Sequence, residues 1–287
     1  MVSIARIVIL AFALPWLAGA AAAQERYFDA GGVRIRYLER GAGTPVVLVH
    51  GFTGSIERSW IDTGVLPQLA RDYRVIAFDL RGHGKSDAPH QPAAYEHIAL
   101  DVIGLMDHLG LQRAHIVGYS LGGIIAIKLL TTHPRRFLSA LIGAAAYRRS
   151  QSERADREAD AAAREIEAGI YRALIVSTAP TDEPPPDEAL IRARSSQIPG
   201  DRFAHAALMR ARRALLVTDA QIAEVTVPTL AVVGAADPQL PRIQAMQAVW
   251  PALNVQVVPG ATHPTVHPRG LPRRPEFLAA IRGWIAK

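Results

Sequence analysis

Short runs made almost wholly of apolar residues recur along this chain, and they limit its fold more than any other feature. Residues 45–49 read Pro-Val-Val-Leu-Val, residues 75–78 read Val-Ile-Ala-Phe, and residues 229–233 read Thr-Leu-Ala-Val-Val. Such a run has no polar side to offer water, so as a strand it must be covered on both faces. Longer segments between the runs carry apolar residues at helical spacing. In residues 98–109 these are Leu100, Ile103, Leu105, Met106 and Leu109. Strands are expected at 27–29, 33–38, 45–49, 75–78, 114–117, 137–142, 229–233 and 255–258, and helices at 98–109, 121–132, 243–249 and 276–285. Gly31-Gly32 marks a hairpin between the first two strands. Alternation of this kind predicts an α/β fold, a doubly wound and mostly parallel sheet with helices on both faces.

The alternation breaks between about residues 147 and 223. Residues 152–170 are charged and alanine-rich, with Glu153/Arg157 and Asp160/Arg164 at the i,i+4 spacing of surface ion pairs. Thr181-Asp182-Glu183-Pro184-Pro185-Pro186 stops any regular element. Residues 202–217 read as one amphipathic helix, with Phe203, Ala207, Leu208, Ala211 and Leu215 on its apolar side and Arg202, His205, Arg212 and Arg213 opposite. The expected organisation is a core formed by residues 24–147 and 222–287, with an inserted helical lid at 148–221.

Gly118-Tyr119-Ser120-Leu121-Gly122 lies between the strand at 114–117 and the helix at 121–132. A serine hydroxyl is a weak nucleophile unless it is exposed, oriented and close to a base. A sharp strand-to-helix turn lifts it clear of the sheet, and the helix N-terminus beneath it favours developing negative charge. Three further loops leave strand ends on the same side. His50-Gly51-Phe52 follows the strand at 45–49, Gly234-Ala235-Ala236-Asp237-Pro238 follows that at 229–233, and Gly260-Ala261-Thr262-His263 follows that at 255–258. In open parallel sheets the strand carboxyl ends form the ligand crevice, so the four loops are expected to converge there.

This constellation resembles the α/β-hydrolase superfamily from about Tyr27 to Lys287, the lid excepted. The segment Phe78-Asp79-Leu80-Arg81-Gly82-His83-Gly84-Lys85-Ser86 is similar to a loop that braces the sheet end in that family. The resemblance implies a triad of Ser120 as nucleophile, His263 as base and Asp237 as its orienting acid, in the chain order Ser, Asp, His that this architecture uses. It implies an oxyanion hole from the backbone amides of Phe52 and Leu121. Some members place the acid one strand earlier, but Gly143-Ala144-Ala145-Ala146 offers no carboxylate. His267 competes with His263, yet only His263 directly follows the turn off its strand. His50 and His83 read as hydrogen-bonding scaffold residues, and Trp60, Tyr119, Tyr147 and Leu208 as candidates for the substrate pocket. The expected reaction is hydrolysis of a small-molecule carboxylic ester. A serine-dependent carbon–carbon bond hydrolase or cofactor-free perhydrolase is the alternative, and a non-catalytic ligand-binding protein the rival from another class. Members that open epoxides or remove halide carry Asp at the nucleophile position, where this chain has Ser120.

Composition narrows the partners. The net charge of +6 comes from arginines scattered among acids and not gathered in one stripe, so no nucleic acid is expected. The chain has no cysteine, which excludes disulfides, thiolate metal sites and a cysteine nucleophile. His263 and His267 are flanked by Pro264 and Pro268 and have no third ligand at zinc spacing, so neither a metal nor any other cofactor is expected. Residues 1–23 carry Arg6, then an uncharged run that ends in Ala20-Ala21-Ala22-Ala23. That is the pattern of a secretory signal peptide, and the mature protein is expected to begin at Gln24, in the periplasm or outside the cell. An uncleaved anchor is the competing reading. Pro15 and the short apolar run speak against it, so no stable membrane span is expected in the mature form.

Overall fold

The apolar runs become the centre of one eight-stranded sheet. Its strands are β1 (Arg26–Asp29), β2 (Arg34–Arg40), β3 (Pro45–Val49), β4 (Arg74–Phe78), β5 (Ala114–Tyr119), β6 (Phe137–Gly143), β7 (Thr229–Gly234) and β8 (Leu253–Val258). They are ordered β1-β2-β4-β3-β5-β6-β7-β8. The β1–β2 and β2–β4 pairings are antiparallel and the rest are parallel. The computed structural model describes residues 25–147, 152–264 and 269–287. The expected signal peptide, the first residues of the expected lid and His267 lie outside these.

Strand alternation divides the core into two layers. Val47, Val49, Ile76 and Phe78 point to one face, while Val46, Leu48, Val75 and Ala77 point to the other. The first face is covered by α2 (Leu100–His108), α3 (Leu121–Thr132) and α9 (Leu240–Val249), and the second by α1 (Val65–Leu69) and α10 (Pro275–Ile285). The five residues of α1 are too few for a readable period, and the sequence gives no sign of them. The expected helix at 98–109 is shorter at both ends.

Between β6 and β7 the chain makes a helical insertion: α4 (Glu153–Glu167), α5 (Arg172–Ser177), α6 (Glu188–Ser195), α7 (Arg202–Ala211) and α8 (Asp219–Ala223). Four of these helices start at side-chain caps: Ser152, Asp187, Asp201 and Thr218 accept from backbone amides in the first turn. Ala163, Ile166, Tyr171, Ile175, Ile191 and Ala206 form a small separate core. Arg210 ties α7 to α4 through Asp160, at 3.0 Å, and Glu167. The expected pairs Glu153–Arg157 and Asp160–Arg164 both form at the surface.

The segment expected as one helix at 202–217 ends as an α-helix at Ala211 and tightens into a 3₁₀ turn over Arg212–Leu215. Two of its residues face opposite to expectation. Phe203 is 44% exposed, under the Arg202 guanidinium, while His205 is 1% exposed. Polarity alone places the His205 ring on the wet face, but aromatic neighbours and a hydrogen bond hold it inside.

Candidate active site

Close approach of backbone to backbone dictates the turn between β5 and α3. A Cβ on Gly118 would lie 2.2 Å from the Gly122 carbonyl oxygen, and one on Gly122 would lie 2.0 Å from the Val49 carbonyl oxygen. Only glycine fits at either position. Ser120 between them has φ 53° and ψ −114°, a conformation costly for a residue with a Cβ, held by a hydrogen bond from its own amide to the Gly143 carbonyl at 2.8 Å. The strain projects its hydroxyl out of the sheet edge.

His263 Nε2 lies 3.0 Å from Ser120 Oγ, and His263 Nδ1 lies 2.9 and 3.2 Å from the two Asp237 oxygens. With Nδ1–H donating to the carboxylate, the Nε2 lone pair is left facing the serine hydroxyl. Asp237 is fully buried and also accepts from the Gln239 amide at 2.8 Å. The Tyr119 hydroxyl donates to the His263 carbonyl and fixes the loop from behind. Leu121 opens α3, so its amide has no intrahelical acceptor. No described residue accepts from the amide of Phe52. The structure thus brings together Ser120, His263, Asp237, Phe52 and Leu121, the five residues expected to carry the chemistry.

The other histidines have structural partners. His50 Nδ1 donates to the Gly51 carbonyl at 2.8 Å, and its Nε2 accepts from the Leu80 amide at 3.0 Å, which sets a neutral tautomer. Asp79 accepts from the amides of Ile56 and Lys85 and from Arg36, so the segment 78–86 does brace the loop after β3. A further element is absent from the sequence reading. His50, His83 and His205 stack behind Phe52, with ring centroids 5.3 Å apart for the first two and 4.7 Å for the last two. Phe52 meets His205 at 5.1 Å, and the Tyr171 hydroxyl bonds His205 Nδ1 at 2.8 Å. Nε2 of His83 and of His205 are buried with no described partner. Burial holds all three rings below the usual histidine range, His205 at about 4. The stack joins the sheet end to the insertion, a long-range contact with no local signature.

Two chambers of about 350 and 360 Å³ meet at Ser120 and His263. The first has Leu121, Ile124, Ala145, Ala146, Leu208 and Leu215 in its walls, together with the charged Glu158, Arg212 and Arg242. The second runs past Gly51, Thr53, Arg58, Tyr119, Arg194 and Gln197. The sequence-based pocket therefore needs two corrections. Leu208 and Tyr119 line chambers, but Trp60 is fully buried in the second core layer and lines neither. Tyr147 is also buried in core and bonds Asp219 across to α8. Both have the bulk and apolar surface that a core takes as readily as a pocket. Among the described residues no three His, Asp or Glu side chains are grouped to hold a metal, and no helix is long and apolar enough to cross a membrane.

Comparison with known proteins agrees with this architecture. The dihydrolipoyllysine-residue acetyltransferase component of the acetoin cleaving system of Pseudomonas putida is 38% identical over 120 residues, 41% of this chain and 32% of that protein. The 2-hydroxy-6-oxo-6-(2'-aminophenyl)hexa-2,4-dienoic acid hydrolase of Metapseudomonas resinovorans is 41% identical over 113 residues, 38% of each chain. The matched stretch spans well under half the length of these curated relatives. A thermophilic esterase from Thermogutta terrifontis superimposes with a TM-score of 0.70 at 25% identity, over 92% of this chain and 98% of that one. The family model described as the alpha/beta hydrolase fold matches residues 44–267, and the chain belongs to that family.

Proposed function

We propose that this protein is a serine hydrolase that cleaves a small-molecule carboxylic ester through an acyl-enzyme. The observation that carries this reading is the continuous relay from Asp237 through His263 to Ser120, at 2.9 and 3.0 Å, opening on two empty-sided chambers. Ser120 Oγ attacks the ester carbonyl carbon as its proton passes to His263 Nε2, and Asp237 stabilises the imidazolium. The amides of Phe52 and Leu121 receive the oxygen that becomes negative. The C–O bond to the alcohol breaks, and His263 returns the proton to the departing oxygen. Water then repeats the sequence on the acyl-serine and releases the acid. These residues handle every proton, so the reading calls for no cofactor.

The insertion serves in this reading as a lid over residues 148–221, since Leu174, Leu208 and Leu215 wall the chambers from its side. The similarity to the dienoic acid hydrolase supports a second reading, carbon–carbon bond hydrolysis at the same serine. A fluorophosphonate tests what both share. It should label Ser120 alone, and intact-mass spectrometry should show no adduct on Ser120→Ala. Equal labelling of the two proteins would end both readings. Turnover of simple nitrophenyl esters then separates them. Export to the periplasm or beyond, with a mature start at Gln24, rests on residues 1–23 and is checked by N-terminal sequencing after expression in an export-competent bacterium.

A further inference from the structure

The two chambers differ in charge. Glu158 stands with Arg212 and Arg242 in the walls of the first. The second has Arg58 and Arg194 in its walls and no aspartate or glutamate. Arg58 is half-buried on a single π-helical turn, Glu57–Ile61, a rare geometry often found at functional sites. Its guanidinium makes no ion pair or hydrogen bond with a described residue. Burial lowers its pKa; the nearby carboxylate of Asp62 opposes that shift, and the charge of Arg273 adds to it. Other arginines here are treated differently. Arg36, Arg81, Arg210 and Arg269 each grip a carboxylate. A guanidinium partly withdrawn from water without a directly paired carboxylate is unfavourable, and a bound anion would supply that pair. Arg194 lines the same chamber from α6, so one cation comes from the core and the other from the insertion.

We propose that the second chamber is an anion subsite: the substrate carries a carboxylate on the part that occupies this chamber, clamped between Arg58 of the core and Arg194 of the insertion. Planar guanidinium groups match a carboxylate through paired N–H donors, and Gln197 and Thr53 add neutral partners in the same walls. The uncharged part of the substrate then lies along the leucine and alanine side chains of the first chamber. The proposal rests on the serine-hydrolase reading and assigns its substrate class.

Two matched substrate pairs test it. Monomethyl adipate against methyl hexanoate puts the charge on the acid side of the scissile bond. The butanoate ester of 5-hydroxypentanoate against pentyl butanoate puts it on the alcohol side. The readout is the ratio of kcat/KM for charged over neutral ester. In wild type at least one pair should give a ratio above about 10, expressed in KM. Arg58→Gln and Arg194→Gln should each lower it about fivefold, and the double variant should bring it to about 1. Arg135→Gln, at an exposed position far from the crevice loops in the chain, controls for the overall positive field and should leave the ratio unchanged. A wild-type ratio at or below 1 in both pairs overturns the proposal, as does a ratio unmoved by both chamber substitutions or moved equally by Arg135→Gln. Circular dichroism checks that each variant is folded. If wild type cleaves none of the four esters and its serine is not labelled, the serine-hydrolase reading has failed, and calorimetry with adipate decides the subsite alone. Binding that disappears in the double variant supports it, and no binding to wild type overturns it.

Discussion

Two serine–histidine pairs lie on the same sheet, and the tighter one lacks the surroundings of a reactive site. His115 Nδ1 and Ser139 Oγ, on β5 and β6, are 2.7 Å apart, against 3.0 Å for His263 and Ser120. Ser120 lies five residues beyond His115, roughly 16 Å along the strand direction. The distant pair lines neither chamber, and burial alone acts on His115, pushing its pKa down with no carboxylate to oppose it. Ser139 sits inside a strand, while Ser120 is held at φ 53° in a glycine-flanked turn. The hydrogen bond is therefore the least informative part of the arrangement. What sets Ser120 apart is an acid behind the base, amides free to receive an oxyanion, backbone strain that exposes the hydroxyl, and space in front of it.

Removing each serine in turn tests which of the two pairs is reactive. Ser120→Ala should reduce kcat on a nitrophenyl ester by about 10⁴ or more, as losing the nucleophile does in serine hydrolases. Ser139→Ala should leave kcat within about twofold and cost roughly 1–3 kcal/mol of stability, because His115 loses its buried partner. Matching losses of activity in the two variants would mean that the surroundings do not discriminate the pairs.

The acid comes next in size. Asp237→Asn keeps the shape of the side chain but cannot fix the His263 tautomer or stabilise an imidazolium. In a serine protease triad, a worked example of the general rule, the same exchange lowers kcat by about 10⁴. A loss of about 10² to 10⁴ is expected here, with KM little changed. A folded variant that keeps more than about a tenth of wild-type kcat would shift the search to another acid.

The histidine stack separates core chemistry from lid attachment. His205 has a folded pKa of about 4, below the ordinary value of 6.5. The native state therefore binds fewer protons than the unfolded chain between these values. The stability tied to the neutral ring is complete above about pH 6.5 and is lost as pH falls towards 4, up to about 3 kcal/mol. Asp201 opposes the shift, while His50 adds to it. His205→Phe removes the titrating group, so its melting temperature should fall less than that of wild type between pH 7 and pH 4.5. Parallel curves for the two proteins would take the stack out of the acid response.

How much of this was legible depended on whether the cause was local. The strand at 45–49, the helix at 121–132 and the five residues of the site each carry their reason within a few positions. Apolar runs, paired glycines and loops at strand ends are enough to read them. His205, Trp60 and Tyr147 do not, because their surroundings are assembled from distant segments. The sequence ranks a histidine as polar and a tryptophan as pocket-like; packing put the first inside beside Phe52 and the second into the core under α1. The π-helical turn at Glu57–Ile61 and the helices α5 and α6 likewise owe their form to what they pack against.

A more modest change is expected from the leucines of the first chamber. Leu208 and Leu215 reach it from the insertion and are 4% and 2% exposed. Neither is part of the hydrogen-bonded relay from Asp237 to Ser120, so shortening either should change the room available to an acyl chain more than the chemical step. Leu208→Ala enlarges the chamber wall and should move the preferred chain length upward, changing the ratio of kcat/KM between octanoate and butanoate nitrophenyl esters about threefold to tenfold. That range corresponds to the ~1–3 kcal/mol that one or two methylenes are worth in an apolar pocket. Leu215→Ala should shift the ratio in the same direction, and because both leucines belong to the first core layer each substitution should also lower stability by about 2–3 kcal/mol. Measuring the full chain-length series for both variants, with thermal denaturation alongside, distinguishes a wall that selects substrate from a wall that only packs. An unchanged profile in two folded, active variants would assign these leucines to packing alone.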